Sequence, residues 1–190
     1  KPEVVICLGN WPTSKVLRAW IEESAAPIWM VTRRLDNRDA LHGRTVHLPV
    51  SLAALAAELP VATDPNGYEQ MWAGYEHRML VALDDRITQA NGLFEGRVTA
   101  LLAQHLPPDT TLCIANSMPV RDMEYFWPAT DQHIRPMANR GANGIDGTLS
   151  TALGVAHAAE TPTVLLTGDL ALLHDTNGWL IAPKFRGSLT

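Results

Sequence analysis

Short runs of β-branched and apolar residues alternate along this chain with stretches of helical spacing. That alternation limits the fold more than any other feature. Val4 to Leu8, Ile28 to Val31, Val46 to Val50, Thr111 to Ala115 and Val164 to Leu166 are continuous apolar or β-favouring runs. Runs of this kind suit strands covered on both faces, as in parallel sheets. Between them, Pro12-Thr13-Ser14 opens a helix with Val16, Leu17, Trp20 and Ile21 at helical spacing, and Ser51 caps a helix carrying Leu52, Leu55 and Leu59. The stretch from Tyr68 to Gln89 is helical, a packing helix with Trp72, Tyr75, Met79 and Leu83 on one face. A further helix runs from Glu95 to His105 and is stopped by Pro107-Pro108. A small-residue helix covers Leu149 to Ala159. Strand, helix, strand in repetition predicts the α/β class: open, mostly parallel sheets with flanking helices. Pro60 to Gly67 has linker composition, and the segment from Asp122 to Pro136 is expected to be irregular.

The 190 residues carry a formal net charge of −5, with Lys and Arg scattered rather than clustered. This argues against nucleic acid as the partner. No apolar stretch reaches the length needed to span a bilayer, and Lys1-Pro2-Glu3-Val4 lacks a signal-peptide pattern. Cys7 and Cys113 both lie inside strand-like runs. They are expected to be buried small hydrophobes in a reducing compartment, which places the chain in the cytoplasm. Phe185 to Thr190 has the pattern of a turn and the first residues of another strand, and Val4 begins as if inside a sheet. The expectation is a piece of a longer protein.

Three stretches carry chemistry. The strand Val164–Leu166 stops at Thr167-Gly168-Asp169. Gly168 admits close approach of an anion, the N–H groups of a following helix point at it, and Asp169 is a hard oxygen ligand for Mg²⁺. The same residues also suit a plain turn with an Asp helix cap. Asn116 to Asp122 follows a strand, and Asn139 to Gly147 is glycine-rich and precedes a helix. Arg121 and Arg140 lie in these two stretches, where a guanidinium suits a carboxylate or phosphate, or an ordinary ion pair. Ser117 is a nucleophile, a hydroxyl donor to a ligand, or a turn residue. No His–Asp pair is placed beside it, which disfavours the first. His174 and Asp175 fit acid–base work and helix packing equally. Gly141, Gly144 and Gly147 precede a helix, but no clear apolar strand leads into Asn139, as a dinucleotide fingerprint requires.

The three stretches together carry a resemblance. Asn116-Ser-Met-Pro-Val-Arg-Asp122, Asn139-Arg-Gly-Ala-Asn-Gly-Ile-Asp-Gly147 and Gly168-Asp-Leu-Ala-Leu-Leu-His-Asp-Thr-Asn177 resemble, in order and spacing, the 2-succinyl-5-enolpyruvyl-6-hydroxy-3-cyclohexene-1-carboxylate synthase family. Leu8-Gly-Asn-Trp-Pro-Thr-Ser-Lys15 is similar to the strand–loop–helix of that family's central domain. The resemblance implies parts of two domains of a thiamine diphosphate-binding fold. Residues 1–65 would be the C-terminal half of the central domain, 66–92 a linker and packing helix, and 93–190 the N-terminal half of the diphosphate-binding domain, truncated.

It also implies a reaction. A thiamine diphosphate-dependent transferase decarboxylates 2-oxoglutarate and adds the succinyl carbanion to isochorismate by conjugate addition, in menaquinone or phylloquinone biosynthesis. By the same resemblance Asp169 ligates Mg²⁺ or Mn²⁺, and the backbone of Gly168, Leu170 and Ala171 cradles the diphosphate. Ala171 stands where many relatives carry Ser, so its contact is through backbone, and Leu170 replaces the commoner Gly of the general thiamine motif. Ile145 is the apolar wedge under the cofactor. Ser117, Arg121 and Arg140 act on substrate carboxylates at the catalytic site, and Lys15 reaches the isochorismate carboxylate. The second half of the metal motif is expected beyond Thr190, and the activating Glu in an N-terminal domain supplied by a partner subunit. A homodimer or homotetramer follows, and a chain inactive by itself. Two alternatives remain at this level: another thiamine diphosphate enzyme of the acetolactate synthase or decarboxylase type, and a non-catalytic α/β binding module.

Overall fold

The computed structural model describes residues 2–37, 39–60, 66–140, 144–159 and 161–190. The chain divides into two compact units, Lys1–Asp84 and Asp85–Thr190, with the division inside a long helix. Most of the expected linker and the centre of the glycine-rich stretch, Gly141 to Asn143, lie outside the described residues.

In the first unit, β1 (Val5–Leu8), β2 (Ile28–Val31) and β3 (Thr45–Leu48) form a parallel sheet in that order. Helix α1 (Lys15–Ser24) makes the β1–β2 crossover. Ser14 caps it, its hydroxyl accepting from the Leu17 N–H at 3.2 Å, and Ser51 caps α2 (Leu52–Glu58) through the Ala54 N–H at 3.1 Å. Among the described residues the β2–β3 connection has no helix. Asp39 organises it instead, its carboxylate accepting from the N–H groups of Leu41 (2.7 Å), Gly43 (2.6 Å) and Thr45 (3.3 Å). Burial pushes this carboxyl up, but those hydrogen bonds outweigh it and hold it below its ordinary value.

The core is one-sided. Cys7, Ile21, Ile28 and Met30 pack together, with Val5, Trp11 and Leu41 against them. The alternate residues, Ile6, Trp29 and Val46, form an in-register row that is exposed. The expectation of strands covered on both faces therefore fails for β1. Ile21 of α1 packs on this sheet's core face, and the period-two alternation of a strand places the other row outward. Helix α3 (Tyr68–Gln89) has the predicted limits, and none of its described residues is buried.

In the second unit, β4 (Thr111–Ile114), β5 (Arg135–Ala138) and β6 (Thr163–Leu166) form a parallel sheet ordered β5–β4–β6. All four residues of β4 are buried, as its apolar run predicts for a central strand. Helices α4 (Glu95–His105) and α5 (Met118–Phe126) pack together. Gly96 allows it, because a Cβ there would lie 2.5 Å from the Phe126 ring. Helix α6 (Thr148–Ala158) packs on β6, α7 (Asp169–His174) and a 3₁₀ segment, Thr176–Lys184. Its Ala152 and Ala156, both fully buried, let the backbone come close to the sheet. Residues 188–190 run parallel to β6, as the expected start of another strand, through Thr163 N–H to Ser188 O (3.1 Å), Thr190 N–H to Thr163 O (3.0 Å) and Leu165 N–H to Thr190 O (2.8 Å). Cys7 and Cys113 are free and buried, and burial raises both thiols. Among the described residues no helix is long and apolar enough to cross a membrane.

Two expectations are corrected here. The segment from Asp122 is irregular only over residues 127–134, because Met118–Phe126 is helical, with Pro119 in the first turn, where its missing N–H costs nothing. Arg121 is consequently on a helix rather than in a loop. A strand does lead into Asn139: Arg135-Pro-Met-Ala138 pairs with β4 alone, and an edge strand tolerates proline.

Candidate functional site

The order β5–β4–β6 fixes where a ligand can sit. From β4 the chain goes by α5 to β5 on one side, and from β6 it goes on to residues 188–190 on the other. Adjacent strands whose connections leave in opposite directions open a crevice at their carboxyl ends. A cavity of about 370 Å³ lies there, reached by Asn116 and Ser117 after β4, by Ile145, and by Gly168, Asp169 and Ala171 after β6.

On the β6 side, α7 begins at Asp169, and its first intrahelical bond is Leu172 N–H to Gly168 O at 3.1 Å. The N–H groups before Leu172 have no helical acceptor, and the residues that carry them line the cavity. A Cβ on Gly168 would meet nothing within 4 Å, so the space beside it is open. Asp169 and Leu170 are exposed at this mouth, and Ala171 is buried beneath it. Among the described residues no three His, Cys, Asp or Glu side chains gather to hold a metal. One carboxylate beside free N–H groups fits Mg²⁺ held together with ligand phosphates, since that ion keeps waters and takes few protein ligands.

On the β4 side, Ser117 has φ 73° and ψ −126°, a left-handed value that is costly for a residue with a Cβ. Its carbonyl accepts a hydrogen bond from Arg121 Nη1 one turn into α5. Arg140, just after β5, donates from Nη1 to Asn116 Oδ1 at 2.7 Å. Both arginines are therefore tied to consecutive residues at the end of β4. Ile145 leads to Gly147, whose φ of 71° opens α6. Lys15 is the first residue of α1 in the other unit.

The sequence alone assigns no role to Asp122 or Asn116 and leaves Asp175 between acid–base work and helix packing. Asp122, 5% exposed, lines the cavity with Glu95. Burial raises its carboxyl, and the Glu95 charge raises it further. Asp175 is a structural residue: it accepts from Ser150 N–H (2.5 Å) and Ser150 Oγ (2.8 Å), capping α6 from outside that helix. Asn116 is 3% exposed and fully hydrogen-bonded. Its signal in the sequence was a polar residue directly after an all-buried strand, where an amide has to find partners.

No family model matches the chain. Curated proteins do match it along its whole length. It is 50% identical over 190 residues to the 2-succinyl-5-enolpyruvyl-6-hydroxy-3-cyclohexene-1-carboxylate synthase of Microcystis aeruginosa, and 47% identical over 194 residues to the synthase of that name from Gloeothece citriformis, covering 33% of each. The protein of the same name from Synechococcus elongatus is 46% identical, with 32% of it covered. The chain thus spans about a third of the length of these relatives. Over that third, its sequence belongs to the 2-succinyl-5-enolpyruvyl-6-hydroxy-3-cyclohexene-1-carboxylate synthase family.

Proposed function

We propose that the chain is part of a thiamine diphosphate-dependent synthase that decarboxylates 2-oxoglutarate and joins the succinyl unit to isochorismate by conjugate addition, in the menaquinone or phylloquinone route. The observation that carries this reading is the cavity between the ends of β4 and β6. It puts an unfilled Gly168, Asp169 and the open first turn of α7 beside Ser117 and Ile145. Whole-length likeness to relatives of that name supports it.

In this reading Asp169 holds Mg²⁺ or Mn²⁺, and the backbone at Gly168, Leu170 and Ala171 holds the diphosphate. Bound thiamine diphosphate supplies the carbon nucleophile and the electron sink for decarboxylation. Ile145 packs against the cofactor from the α6 side and keeps water out. Arg121 and Arg140 neutralise substrate carboxylates; each guanidinium has five N–H donors, so the bond each makes to β4's end leaves others free. The Ser117 hydroxyl donates to the same anions. Lys15 reaches the isochorismate carboxylate. Residues 1–65 serve as the back half of a central domain, 66–92 as linker and packing helix, and 93–190 as the front half of the diphosphate-binding domain. The enzyme is a cytoplasmic homodimer or homotetramer with sites between subunits, and the 190-residue stretch alone is inactive.

The test follows isochorismate loss by the full-length protein, with and without thiamine diphosphate and Mg²⁺. Cofactor-dependent loss is expected, abolished in Asp169→Ala and reduced at least about tenfold in Arg140→Ala, the cost of one charge-assisted hydrogen bond. Decarboxylation of 2-oxoglutarate without isochorismate loss would move the acceptor to another class. Isochorismate loss that does not depend on the cofactor would refute the thiamine diphosphate mechanism, and no loss under any condition would refute the enzyme reading in favour of a binding module.

A further inference from the structure

We infer that Asn116 is a positioning residue that sets the direction of the Arg140 guanidinium and ties Asn139 and Gly144 to the end of β4. This rests on the carboxylate-binding role proposed for Arg140. The side chain is 3% exposed and lies where β4 ends. Both hydrogens of its amide nitrogen are used: Nδ2 donates to the Asn139 carbonyl at 2.8 Å and to the Gly144 carbonyl at 2.6 Å. Its oxygen accepts from Arg140 Nη1 at 2.7 Å. The partners leave no freedom in the amide orientation, since two carbonyls require the nitrogen and a guanidinium requires the oxygen.

One side chain therefore joins three points of the glycine-rich stretch to the sheet. Two consequences follow. The carbonyls of Asn139 and Gly144 are held at a common point, which fixes how the chain enters Ile145 and α6. Arg140 is exposed, and a free arginine loses much rotamer entropy when it binds. Tethering Nη1 beforehand reduces that loss and leaves the remaining donors available for a carboxylate. Asn116 has little capacity left for a ligand of its own, so its effect on substrate passes through Arg140.

A double-mutant cycle tests this. In the full-length protein with thiamine diphosphate and Mg²⁺, Asn116→Ala is expected to raise KM for the carboxylate substrates about tenfold while kcat changes less than about threefold. Arg140→Ala raises KM at least as much. The double variant is expected to match Arg140→Ala alone within about a factor of two, because the two residues act through one contact. KM effects that multiply would overturn the coupling. Asn116→Ser, which keeps one donor and one acceptor, replaces the alanine variant if that variant does not fold. Hydrogen exchange gives a reading independent of turnover. Peptides covering residues 135–150 should exchange about tenfold faster in Asn116→Ala, and unchanged exchange would refute the latch even in an inactive protein. Failure of the functional reading shows instead as an unmodified protein with no cofactor-dependent turnover.

Discussion

Replacing Gly187 by alanine tests how the second sheet is held at its edge. A Cβ built there lies 1.9 Å from the Ala156 carbonyl oxygen, 2.3 Å from its carbon and 2.9 Å from the His157 nitrogen. All three are backbone atoms near the end of α6, so no side chain can swing aside. Since non-bonded carbon and oxygen need about 3.2 Å or more, the chain at Gly187 must move by more than an ångström. Residues 188–190 follow immediately, and three backbone hydrogen bonds bind them to Thr163 and Leu165 of β6. Losing those bonds at about 1 kcal/mol each gives a destabilisation of about 3 kcal/mol, with a further contribution if the Thr163 N–H is left buried and unpaired. Urea unfolding of Gly187→Ala should show the midpoint falling accordingly, and the Thr163 and Leu165 amides should lose protection first. A change under about 0.5 kcal/mol with both amides still protected would refute the reasoning, because the edge would then absorb the methyl without detaching.

Two further substitutions separate polar burial from packing. Thr163 is 1% exposed and its Oγ1 has no hydrogen-bond partner among the described residues, so Thr163→Val should raise stability by about 1 kcal/mol in urea unfolding; a loss of that size would show that the hydroxyl is satisfied in solution. Asp122→Asn should stabilise in a pH-dependent way. Burial and the Glu95 charge raise the Asp122 carboxyl in the folded state, so the folded protein binds the proton more tightly than the unfolded chain, whose value is about 3.9. Wild-type stability is therefore unpenalised below that value and falls as pH rises through the folded one. The gain of the Asn variant should be small at pH 4 and full at pH 8; an equal gain at both would refute it.

The parts of the fold that were legible in the sequence are those where one local signal decides. Thr111 to Ile114 is apolar and β-favouring throughout and becomes the buried central strand. Ser14 and Ser51 cap the helices they precede, since a hydroxyl at that position satisfies an orphan N–H whatever lies around it. Helix α5 and strand β5 were hidden for the opposite reason. Proline marks a turn as readily as the first turn of a helix, and only the edge position of β5 makes Pro136 acceptable in a strand. Gly168-Asp169 could be singled out because strand end, glycine and carboxylate are contiguous. The partners of Asn116 could not, since they lie 23, 24 and 28 residues away and meet it only after α5 has carried the chain over to β5 beside β4.

Location and chemistry of the candidate site thus have different origins. The location follows from strand order alone: with β4 between β5 and β6, the ends of β4 and β6 must open a crevice, whatever residues follow them. The chemistry depends on what holds the two arginines there. The holding groups are adjacent in the chain, the Asn116 side chain for Arg140 and the Ser117 carbonyl for Arg121. A left-handed conformation at Ser117 costs of order 1 kcal/mol or more, and a chain free to relax would not keep it. It is retained where Asn116 is buried on one side and Pro119 begins α5 on the other, so relaxing φ would move both anchors. The strain at Ser117 is therefore the local cost of presenting two guanidiniums from two separate elements at one end of the sheet, and the burial of β4 beneath it supplies the stability that offsets this cost.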